Sequence, residues 1–370
     1  MWRTFFLSFY ILPNVYIFFR LRRLFTGYGH RHLVLLAYFL LILVFPLVEI
    51  LAHDSETGWT RYTQTAGYYS LPYLLYLFLI LVICDFLTGL NYFLKIIPRE
   101  TLHSRRFRSI CVPVILAVPL IVEMYGIAHY YRIQVNPYSI QVSRKSSGID
   151  HLRIALAADF HLRDSTAKGF MPAFVKQVNS LNADIVLLPG DLVEGHGDNQ
   201  RESEFELLFR QIKSKYGVYA VFGNHEWHGG EGNRAFFNRA GIKVLADEVI
   251  IIDRAFYLAG RNDNHSQNRK NLDELLQQTS DDLPVILLDH RPLNLAEVSR
   301  GKVDIQVSGH THNGQLFPFN FITKQVYELS WGYRKIGNTH FFVTSGIRTW
   351  GPPVRTVGDS EIMLIEVEFR

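Results

Sequence analysis

Residues 152–161 read LRIALAADFH, a short apolar run that ends in a carboxylate, Asp159, and an imidazole, His161. The length of the run and its polar boundaries indicate a buried β-strand rather than a helix. In α/β proteins, ligand sites collect where strands reach their carboxyl ends. The stretch therefore predicts a strand whose end carries the chemistry of the protein.

The same pattern, a buried strand followed by polar side chains, recurs four more times. The four stretches are ADIVLLPGD (183–191), GVYAVFGNHE (217–226), LPVILLDHRP (283–292) and KVDIQVSGHTH (302–312). Amphipathic stretches at 168–182, 200–215 and 233–240 predict helices between them. Residues 249–260 and 340–369 favour consecutive strands. This alternation predicts an α/β fold in which helices cover the sheets from outside.

The side chains that follow these strands form a metal-binding set: Asp159, His161, Asp191, Asn224, His225, His290, His310 and His312. Imidazole and carboxylate suit Mn, Fe or Zn, and the lack of cysteine in this part of the sequence disfavours a structural zinc site. One ion is too few for eight groups, and Asp191, held by Gly190, is suited to bridge two. Two ions about 3.5–4 Å apart would hold a hydroxide and clamp the oxygens of a phosphoester. Each motif alone also occurs in ordinary turns, so the prediction depends on all five motifs following strands in the same sequence.

The ordered motifs resemble those of the calcineurin-like metallophosphoesterase superfamily. The residues that carry the resemblance are Asp159, His161, Gly190, Asp191, Gly223, Asn224, His225, Glu226, His290, Gly309, His310 and His312. The longer stretches GDLVEG, GNHEW and GHTHNGQ, with GPPVR and EIMLIEV near the end, are most similar to its YkuE-like membrane-associated branch. The resemblance covers residues 150–370 and implies a four-layer α/β/β/α sandwich.

The resemblance also implies a role for each residue. The first ion would be bound by Asp159, His161, Asp191 and His312, and the second by Asp191, Asn224, His290 and His310. The expected cofactors are two divalent metal ions, Mn first, with Fe or Zn as alternatives. Asn224 and His225 would contact the phosphate of the substrate. His225 would bind no metal and would protonate the leaving oxygen as a general acid.

At several positions around this set, the sequence allows more than one role or only a supporting one. For His225 a purely supporting role beside the second metal is the alternative to acid catalysis, and Glu226 or an aspartate is expected to orient it. Arg348 and Arg355 are candidates to hold a phosphate oxygen, or else to pair with acids on adjacent strands. Glu194 stands where the family often has an aspartate. Gly309 is expected to let the backbone pass close to the site.

The first part of the chain predicts a transmembrane helical region at residues 1–131. Apolar runs at 33–52, 68–90 and 110–131 are each long enough to cross a bilayer, which takes about 20 residues. A shorter run at 4–19 contains Pro13 and Asn14, and it either spans or lies at the interface. It lacks the pattern of a cleaved signal peptide. The two cysteines, Cys84 and Cys111, fall in the apolar runs and predict no disulfide framework.

The distribution of Lys and Arg between the apolar runs predicts the orientation. Basic residues occur between the first two runs and between the last two: Arg20, Arg22, Arg23, Arg31, Lys95, Arg99, Arg105, Arg106 and Arg108. The loop between the second and third runs holds Arg61 beside Asp54 and Glu56. Because basic loops stay on the cytoplasmic side, everything after Tyr131 is expected on the outer face.

Two local expectations remain in this region. Residues 132–149, which include Pro137 and a polar stretch, are expected to form a linker before the domain at 150–370. Glu49, Asp85 and Glu123 lie within the apolar runs. They are expected to reach the interface or to pair within the bundle, although the cost of burying a carboxylate in the membrane leaves a functional role open.

Charge narrows the expected partners. Residues 1–149 hold 14 Lys and Arg against 6 Asp and Glu, whereas residues 150–370 hold 24 against 28. The second part is therefore net acidic, which disfavours nucleic acid. The expected partners are the lipid bilayer and a lipid or glycolipid phosphate, with no stable protein partner.

The sequence thus predicts a multi-pass inner-membrane phosphoester hydrolase whose catalytic domain lies on the outer side. Its substrate would be a phosphodiester, phosphomonoester or pyrophosphate of a lipid or envelope glycolipid. The alternatives are a broad-specificity phosphodiesterase or phosphatase for small soluble substrates, and a catalytically inactive metal-binding sensor on a membrane bundle.

Overall fold

The computed structural model describes residues 2–51, 59–143, 146, 148–194, 201–228 and 230–370. The chain divides into two compact units, Met1–Ala128 with Gly351–Val354 and His129–Trp350 with Arg355–Arg370. Asp54 and Glu56, on which the orientation partly depends, lie outside the described residues.

The first unit is helical. Its helices are α1 (Trp2–Leu24), α2 (Arg31–Leu51), α3 (Trp59–Leu94), α4 (Arg99–His103) and α5 (Arg105–Tyr131), the last of which ends in the second unit. Within the described residues, three helical segments are long and apolar enough to cross a membrane: Arg31–Val48, Tyr62–Leu94 and Arg105–Tyr131. These correspond to the predicted runs at 33–52, 68–90 and 110–131. The run at 4–19 lies in α1, and its crossing of the membrane stays a prediction.

The carboxylates of the apolar runs differ in their surroundings. Asp85 pairs with the guanidinium of Arg20 and accepts a hydrogen bond of 2.6 Å from the Tyr16 hydroxyl. Asp85 therefore pairs within the bundle, as expected. Glu123 is buried on α5, and the side chain of Glu49 lies outside the described residues.

The second unit contains two six-stranded sheets. The strands are β1 (Ile133–Val142), β2 (His151–Leu156), β3 (Ile185–Pro189), β4 (Val218–Val221), β5 (Lys243–Val244), β6 (Glu248–Ile252), β7 (Phe256–Gly260), β8 (Val285–Leu288), β9 (Ile305–Ser308), β10 (Gly332–Ile336), β11 (Thr339–Val343) and β12 (Ser360–Phe369). The first sheet has the order β1-β12-β2-β3-β4-β5, and the second has the order β10-β11-β9-β8-β7-β6.

The strands that lead to the predicted site are parallel within each sheet. In the first sheet β2, β3, β4 and β5 run parallel, with Leu156 opposite Leu187 and Pro189 opposite Val221. In the second sheet β7, β8, β9 and β11 run parallel. Parallel strands are covered on both faces and are therefore apolar throughout. The sequence of β3, IVLLP, is fully buried in this way.

Helices cover the outer faces of both sheets. The helices of the second unit are α6 (Phe170–Ser180), α7 (Glu202–Phe209), α8 (Asn224–His228), α9 (Gly230–Arg239), α10 (Leu272–Leu276), α11 (Leu295–Val298) and α12 (Phe319–Val326), with a 3₁₀ turn at His312–Gly314. One apolar core, which includes Ile154 and Ile286, fills the space between the sheets. A second core joins the first sheet to α6, α7 and α9, and a third joins the second sheet to α10 and α11. These layers confirm the predicted α/β/β/α architecture.

The predicted linker at 132–149 differs from the structure. Residues Ile133–Val142 form β1, the edge strand of the first sheet, which pairs in parallel with β12 along its whole length. Pro137 suggested a break in the chain. However, proline is tolerated on an edge strand because one side of that strand needs no hydrogen-bond donor. Only Arg132 separates α5 from the second unit's first strand.

Candidate metal centre

Five strands from the two sheets end at one place. The ends of β2, β3 and β4 in the first sheet and of β8 and β9 in the second are followed within five residues by the predicted ligands. The structure brings these side chains together in three overlapping groups whose ligand atoms lie within 4.8 Å of one another: Asp159, His161 and His312; His161, Asp191 and His225; Asp191, His290 and His310. Asn224 joins the third group, since its Oδ1 lies 3.3 Å from His290 Nε2. The prediction that the strand ends converge is thus confirmed.

The first group has the spacing of ligands around one ion. His161 Nε2 and His312 Nε2 are 3.1 Å apart, and His312 Nε2 lies 3.8 Å from an oxygen of Asp159. Two nitrogens bound to one ion at about 2.1 Å, at an angle between a right angle and the tetrahedral angle, would be about 3.0–3.4 Å apart. These residues therefore fit the first metal position.

The second group repeats this spacing. His290 Nε2 lies 3.2 Å from His310 Nδ1 and 3.1 Å from Asp191 Oδ2. Together with Asn224 Oδ1, four donors from four different strand ends surround a second position. The set combines nitrogen and oxygen ligands, which suits a catalytic transition metal.

Asp191 lies between the two groups. Its Oδ2 is 3.1 Å from His290 Nε2 and 4.0 Å from His161 Nε2, so one carboxylate reaches both positions. Asp159 and Asp191 are both fully buried, and burial, together with the charge of Asp191, raises the pKa of Asp159 to about 7. Divalent cations would offset the repulsion between these two buried carboxylates, and Asp191 is placed where it could contact both ions.

Hydrogen-bond partners and burial favour the neutral, metal-binding form of the imidazole rings. His290 Nδ1 lies 2.8 Å from the carbonyl of Pro189 and His312 Nδ1 lies 3.3 Å from that of Arg348, so each ring can donate Nδ1–H and turn Nε2 to the site. Burial lowers the pKa of His161 and His312, and lowers that of His310 to about 3, which leaves the three rings neutral.

His290 is the exception among the imidazoles. Burial lowers its pKa, but the charge of Asp191 and the contact with it outweigh burial and raise the pKa to about 10. A divalent ion at this position would compete with that proton, since metal binding to histidine releases protons. The donor set as a whole therefore fits two divalent ions.

The loops that carry the ligands are strained and tightly packed. Positive φ angles occur at Asp159 (57°), His161 (43°), Asp191 (56°), His310 (71°) and His312 (48°). Each such residue costs roughly 1–3 kcal/mol, and strain of this kind persists where the surroundings enforce it, commonly at functional sites. A Cβ on Gly309 would lie 2.6 Å from Asp159 Oδ2. The expected close approach of the backbone at Gly309 is thus present.

Glu226 has a different role from the expected one. Its carboxylate accepts hydrogen bonds from the backbone N–H groups of Asp191, Leu192, Val193 and Gly223, at 2.5–3.2 Å. It therefore joins the loop after β3 to the loop after β4. The sequence showed an acid in the motif but not that backbone amides would surround it.

Glu194 is the carboxylate beside His225. Its Oε1 lies 2.7 Å from His161 Nδ1 and 3.6 Å from His225 Nδ1, and its other oxygen pairs with Arg163. The sequence marked Glu194 only as a departure from the family pattern. It could have been proposed as a partner of histidine from its position three residues after Asp191, at the same strand end.

His225 is the more exposed ring of this part of the site. Its side chain is 23% exposed, against 1% for His161, and the two rings meet edge to face at 4.7 Å. Its backbone N–H donates to Asp191 Oδ1 at 2.9 Å. The ring therefore stands at the rim of the centre, where it can meet a substrate.

The two arginines predicted to hold phosphate are engaged with the protein. Arg348 donates to the Tyr130 hydroxyl at 2.7 Å and to the backbone carbonyls of Phe160 and His161 at 3.1 and 2.8 Å. Arg355 is fully buried and donates to the carbonyls of Gly346 and Arg348. Among the residues that the structure describes, neither arginine has an acid as a hydrogen-bond partner. In this geometry both support loops of the site, and their contact with substrate stays a prediction.

Arg291 is a cation near the site that the sequence reasoning missed. Its guanidinium donates to the buried carboxylate of Asp263 at 2.8 Å, and lies 3.1 Å from His265 Nδ1. The positive charge of Arg291 also lowers the pKa of His310, after the effect of burial. In the sequence, its position directly after His290, a candidate metal ligand, indicated that it would lie near the site.

Known proteins share this domain. Residues 152–314 match the family model described as calcineurin-like phosphoesterase. An uncharacterized metallophosphoesterase of Helicobacter pylori (strain J99) is 32% identical over 223 residues, which cover 58% of this chain and 60% of that protein. The uncharacterized metallophosphoesterase YkuE of Bacillus subtilis (strain 168) is 26% identical over 259 residues, covering 66% of this chain and 90% of YkuE.

A third relative carries its domain in a membrane protein. The transmembrane protein with metallophosphoesterase domain of Bos taurus is 29% identical over 248 residues, covering 62% of this chain and 55% of that protein. The chain therefore matches little more than half the length of the Helicobacter and cattle relatives. Residues 152–314, which make up less than half of the chain, are thus similar to the calcineurin-like phosphoesterase family, and the catalytic unit as a whole is similar to proteins named as metallophosphoesterases.

Proposed function

We propose that the chain is a membrane-anchored phosphoester hydrolase that uses two divalent ions. The proposed substrate is a phosphodiester, phosphomonoester or pyrophosphate of a lipid or envelope glycolipid. The domain would act on the outer side of a bacterial inner membrane, with Mn as the first candidate metal and Fe or Zn as alternatives. The similarity of residues 152–314 to calcineurin-like phosphoesterases supports hydrolysis of phosphoesters, and the arrangement of donors around Asp191 supports two metal positions.

The observation that carries the proposal is the shared oxygen of Asp191. Asp191 Oδ2 approaches His290 Nε2 at 3.1 Å and His161 Nε2 at 4.0 Å, so a single carboxylate serves both positions. Two ions, when bound, would supply an activated water and positive charge for the phosphate oxygens. A purely structural metal site does not need one carboxylate to reach two ions, and it leaves no coordination position for water.

His225 is suited to the proton transfer. It lies outside the set of buried ligands, at the rim, and keeps its Nδ1 within 3.6 Å of Glu194. A leaving alkoxide needs a proton, and imidazole is the side chain best matched to donating one near neutral pH. Glu194 would hold the ring in place while Nε2 faces the substrate.

Charge and connectivity favour a lipid substrate. The second part of the sequence is net acidic, which disfavours a polyphosphate strand. Only Arg132 separates α5 from β1, so the catalytic unit follows a membrane-spanning helix without a long flexible linker. Such anchoring raises the rate of encounter with substrates in the membrane and adds little for a soluble one.

The experiment compares the wild-type chain with Asp191→Asn on total membrane lipids in the presence of Mn. Mass spectrometry should find a phosphate-containing headgroup fragment released by the wild type only. Bis-p-nitrophenyl phosphate serves as a soluble substrate in parallel. Cleavage of the soluble substrate alone would favour the broad-specificity phosphodiesterase or phosphatase.

A chain that binds metal and yet cleaves neither substrate would favour the inactive metal-binding sensor. The intact set of donors argues against that alternative, because loss of activity usually removes the need to keep ligands. Metal content measured on the purified wild-type chain separates these outcomes, whichever lipid is the substrate.

A further inference from the structure

Helix α12 (Phe319–Val326) exposes all of its apolar residues. Asn320 and Thr323 are half-buried against the domain, whereas Phe321, Ile322 and Val326 are 57%, 58% and 64% exposed. A surface helix of a water-soluble domain places its apolar stripe against the core and its polar residues outside. The exposed side of α12 is therefore better suited to apolar surroundings than to water.

The apolar surface extends beyond the helix itself. Phe317 and Phe319 are 48% and 42% exposed, and the rings of Phe317 and Phe321 pack edge to face at 5.8 Å. We name these five residues, Phe317, Phe319, Phe321, Ile322 and Val326, the α12 face. Single exposed apolar side chains are ordinary, but a contiguous group of this kind marks an interaction surface.

The α12 face is rigidly connected to the metal centre. The turn that carries His312 ends at Gly314, where a Cβ would lie 2.6 Å from the carbonyl carbon of Phe319. At the other end of the helix, the ring of Tyr327 lies 6.1 Å from that of His310. Both ends of α12 thus pack against the loop that presents the two histidines. A ligand held on the α12 face would be connected through this helix to the loop that carries His310 and His312.

We propose that the α12 face lies in the surface layer of the lipid bilayer and positions the metal centre at the membrane. This inference rests on the proposed function, because it specifies how that site meets a lipid phosphate. Interfacial helices bury an apolar face about 5–10 Å into the headgroup region and carry basic rather than acidic residues on the other face. The only charged residue between Phe319 and Val326 is Lys324, which is exposed.

The bilayer suits this face better than another protein does. An eight-residue helix is about 12 Å long and about 10 Å wide. Its outer face is therefore several-fold smaller than the roughly 800 Å² that each partner buries in a stable interface. A lipid surface needs no complementary shape, and the spans of the same chain supply the main attachment. A short apolar helix that would bind a protein only weakly is sufficient there.

A spin label reports directly on this contact. The full chain, with Cys84 and Cys111 replaced by alanine, carries Phe321→Cys and is reconstituted in lipid nanodiscs. The matched control is Asp273→Cys on α10, a helix whose apolar residues Leu272, Leu275 and Leu276 are buried in the normal way. The experiment compares the accessibility of each label to oxygen, which partitions into lipid, with that to a water-soluble nickel complex.

The expected ratio of oxygen to nickel accessibility is several-fold higher at position 321 than at position 273. Equal ratios would place the α12 face in water and overturn the proposal. A label at 321 that neither reagent reaches would indicate a protein neighbour, such as a second copy of the chain, and would overturn it as well. Ile322→Cys, on the same face, provides a second reporter if the first variant does not fold.

This measurement does not depend on catalysis. If the wild type releases no fragment from any lipid while the label at 321 lies in the bilayer, the substrate proposal fails and the membrane contact stands. If the wild type cleaves a lipid while the label lies in water, the reverse holds. The two proposals are thus separately testable.

Discussion

Glu194 connects a metal ligand to the candidate acid. Its Oε1 lies between His161 Nδ1 and His225 Nδ1, and its second oxygen pairs with Arg163. Burial alone would raise the pKa of Glu194, but the charge of Arg163 and the contact with His161 hold it well below its usual value. The carboxylate is therefore ionised at neutral pH and can fix the orientation of both rings.

Replacing this anion should weaken the metal site without removing a ligand. In Glu194→Gln, we expect the affinity for Mn to fall about 10–100-fold, because outer partners of a metal-binding histidine typically contribute that much. Metal titration of the purified chain measures the change. Glu204→Gln removes another ion-paired glutamate, the partner of Arg201, away from the centre, and should leave metal affinity unchanged. Equal affinity in both variants would contradict the role of Glu194.

His225→Ala should separate metal binding from proton transfer. We expect metal content to stay at the wild-type level and turnover of an alkyl phosphodiester to fall about 10²–10⁴-fold, the usual contribution of a general acid. An aryl ester with an activated leaving group needs less protonation and should lose less activity. Undiminished turnover of the alkyl ester would eliminate His225 as the acid.

The ligands could be predicted from the sequence, whereas their supporting residues could not. Asp159, Asp191 and His290 each follow a buried strand directly, and parallel strands end at one edge of a sheet, so the pattern alone brings them together. Glu226 and Arg348 act through backbone amides and carbonyls of loops that are distant in sequence. Such contacts depend on how the loops approach one another, and residue types alone do not reveal that approach.

At the scale of elements, β1 shows how one proline altered the interpretation. The stretch IQVNPYSIQV contains apolar residues at alternate positions near its end, of which Ile140 and Val142 are buried in the core between the sheets. Pro137 and the polar residues that follow at 143–148 favoured a linker. The pairing partner of β1 is β12, more than 200 residues away, and so a local pattern gave no sign of it.

The two interpretations of this segment differ in their consequence for stability. If β1 is part of the sheet, Ile140→Ala should cost about 2–5 kcal/mol through lost burial and the cavity left behind. The matched control, Ser139→Ala, changes an exposed neighbour on the same strand and should stay within about 0.5 kcal/mol. Thermal unfolding of the full chain in nanodiscs measures both. Two equal melting temperatures would favour the linker.

For the whole molecule, charge and hydropathy separate two parts with different surroundings. Residues 1–149 are net basic and hold the three segments able to cross a membrane, whereas residues 150–370 are net acidic and hold the metal centre. The basic residues are concentrated in two regions, from the end of α1 to the start of α2 and from the end of α3 to the start of α5. If these basic regions stay in the cytoplasm, three crossings by α2, α3 and α5 predict that the domain lies on the outer side.

Cysteine accessibility tests this orientation on the full chain. In a background with Cys84 and Cys111 replaced by alanine, Glu100→Cys reports on the basic loop and Gln278→Cys on the catalytic unit, and both positions are exposed. With the chain in the inner membrane of intact bacterial spheroplasts, a membrane-impermeant maleimide should label position 278 and spare position 100 until the cells are lysed. Labelling of position 100 alone would reverse the orientation and place the metal centre in the cytoplasm, and the outer leaflet would then be excluded as the source of its substrate.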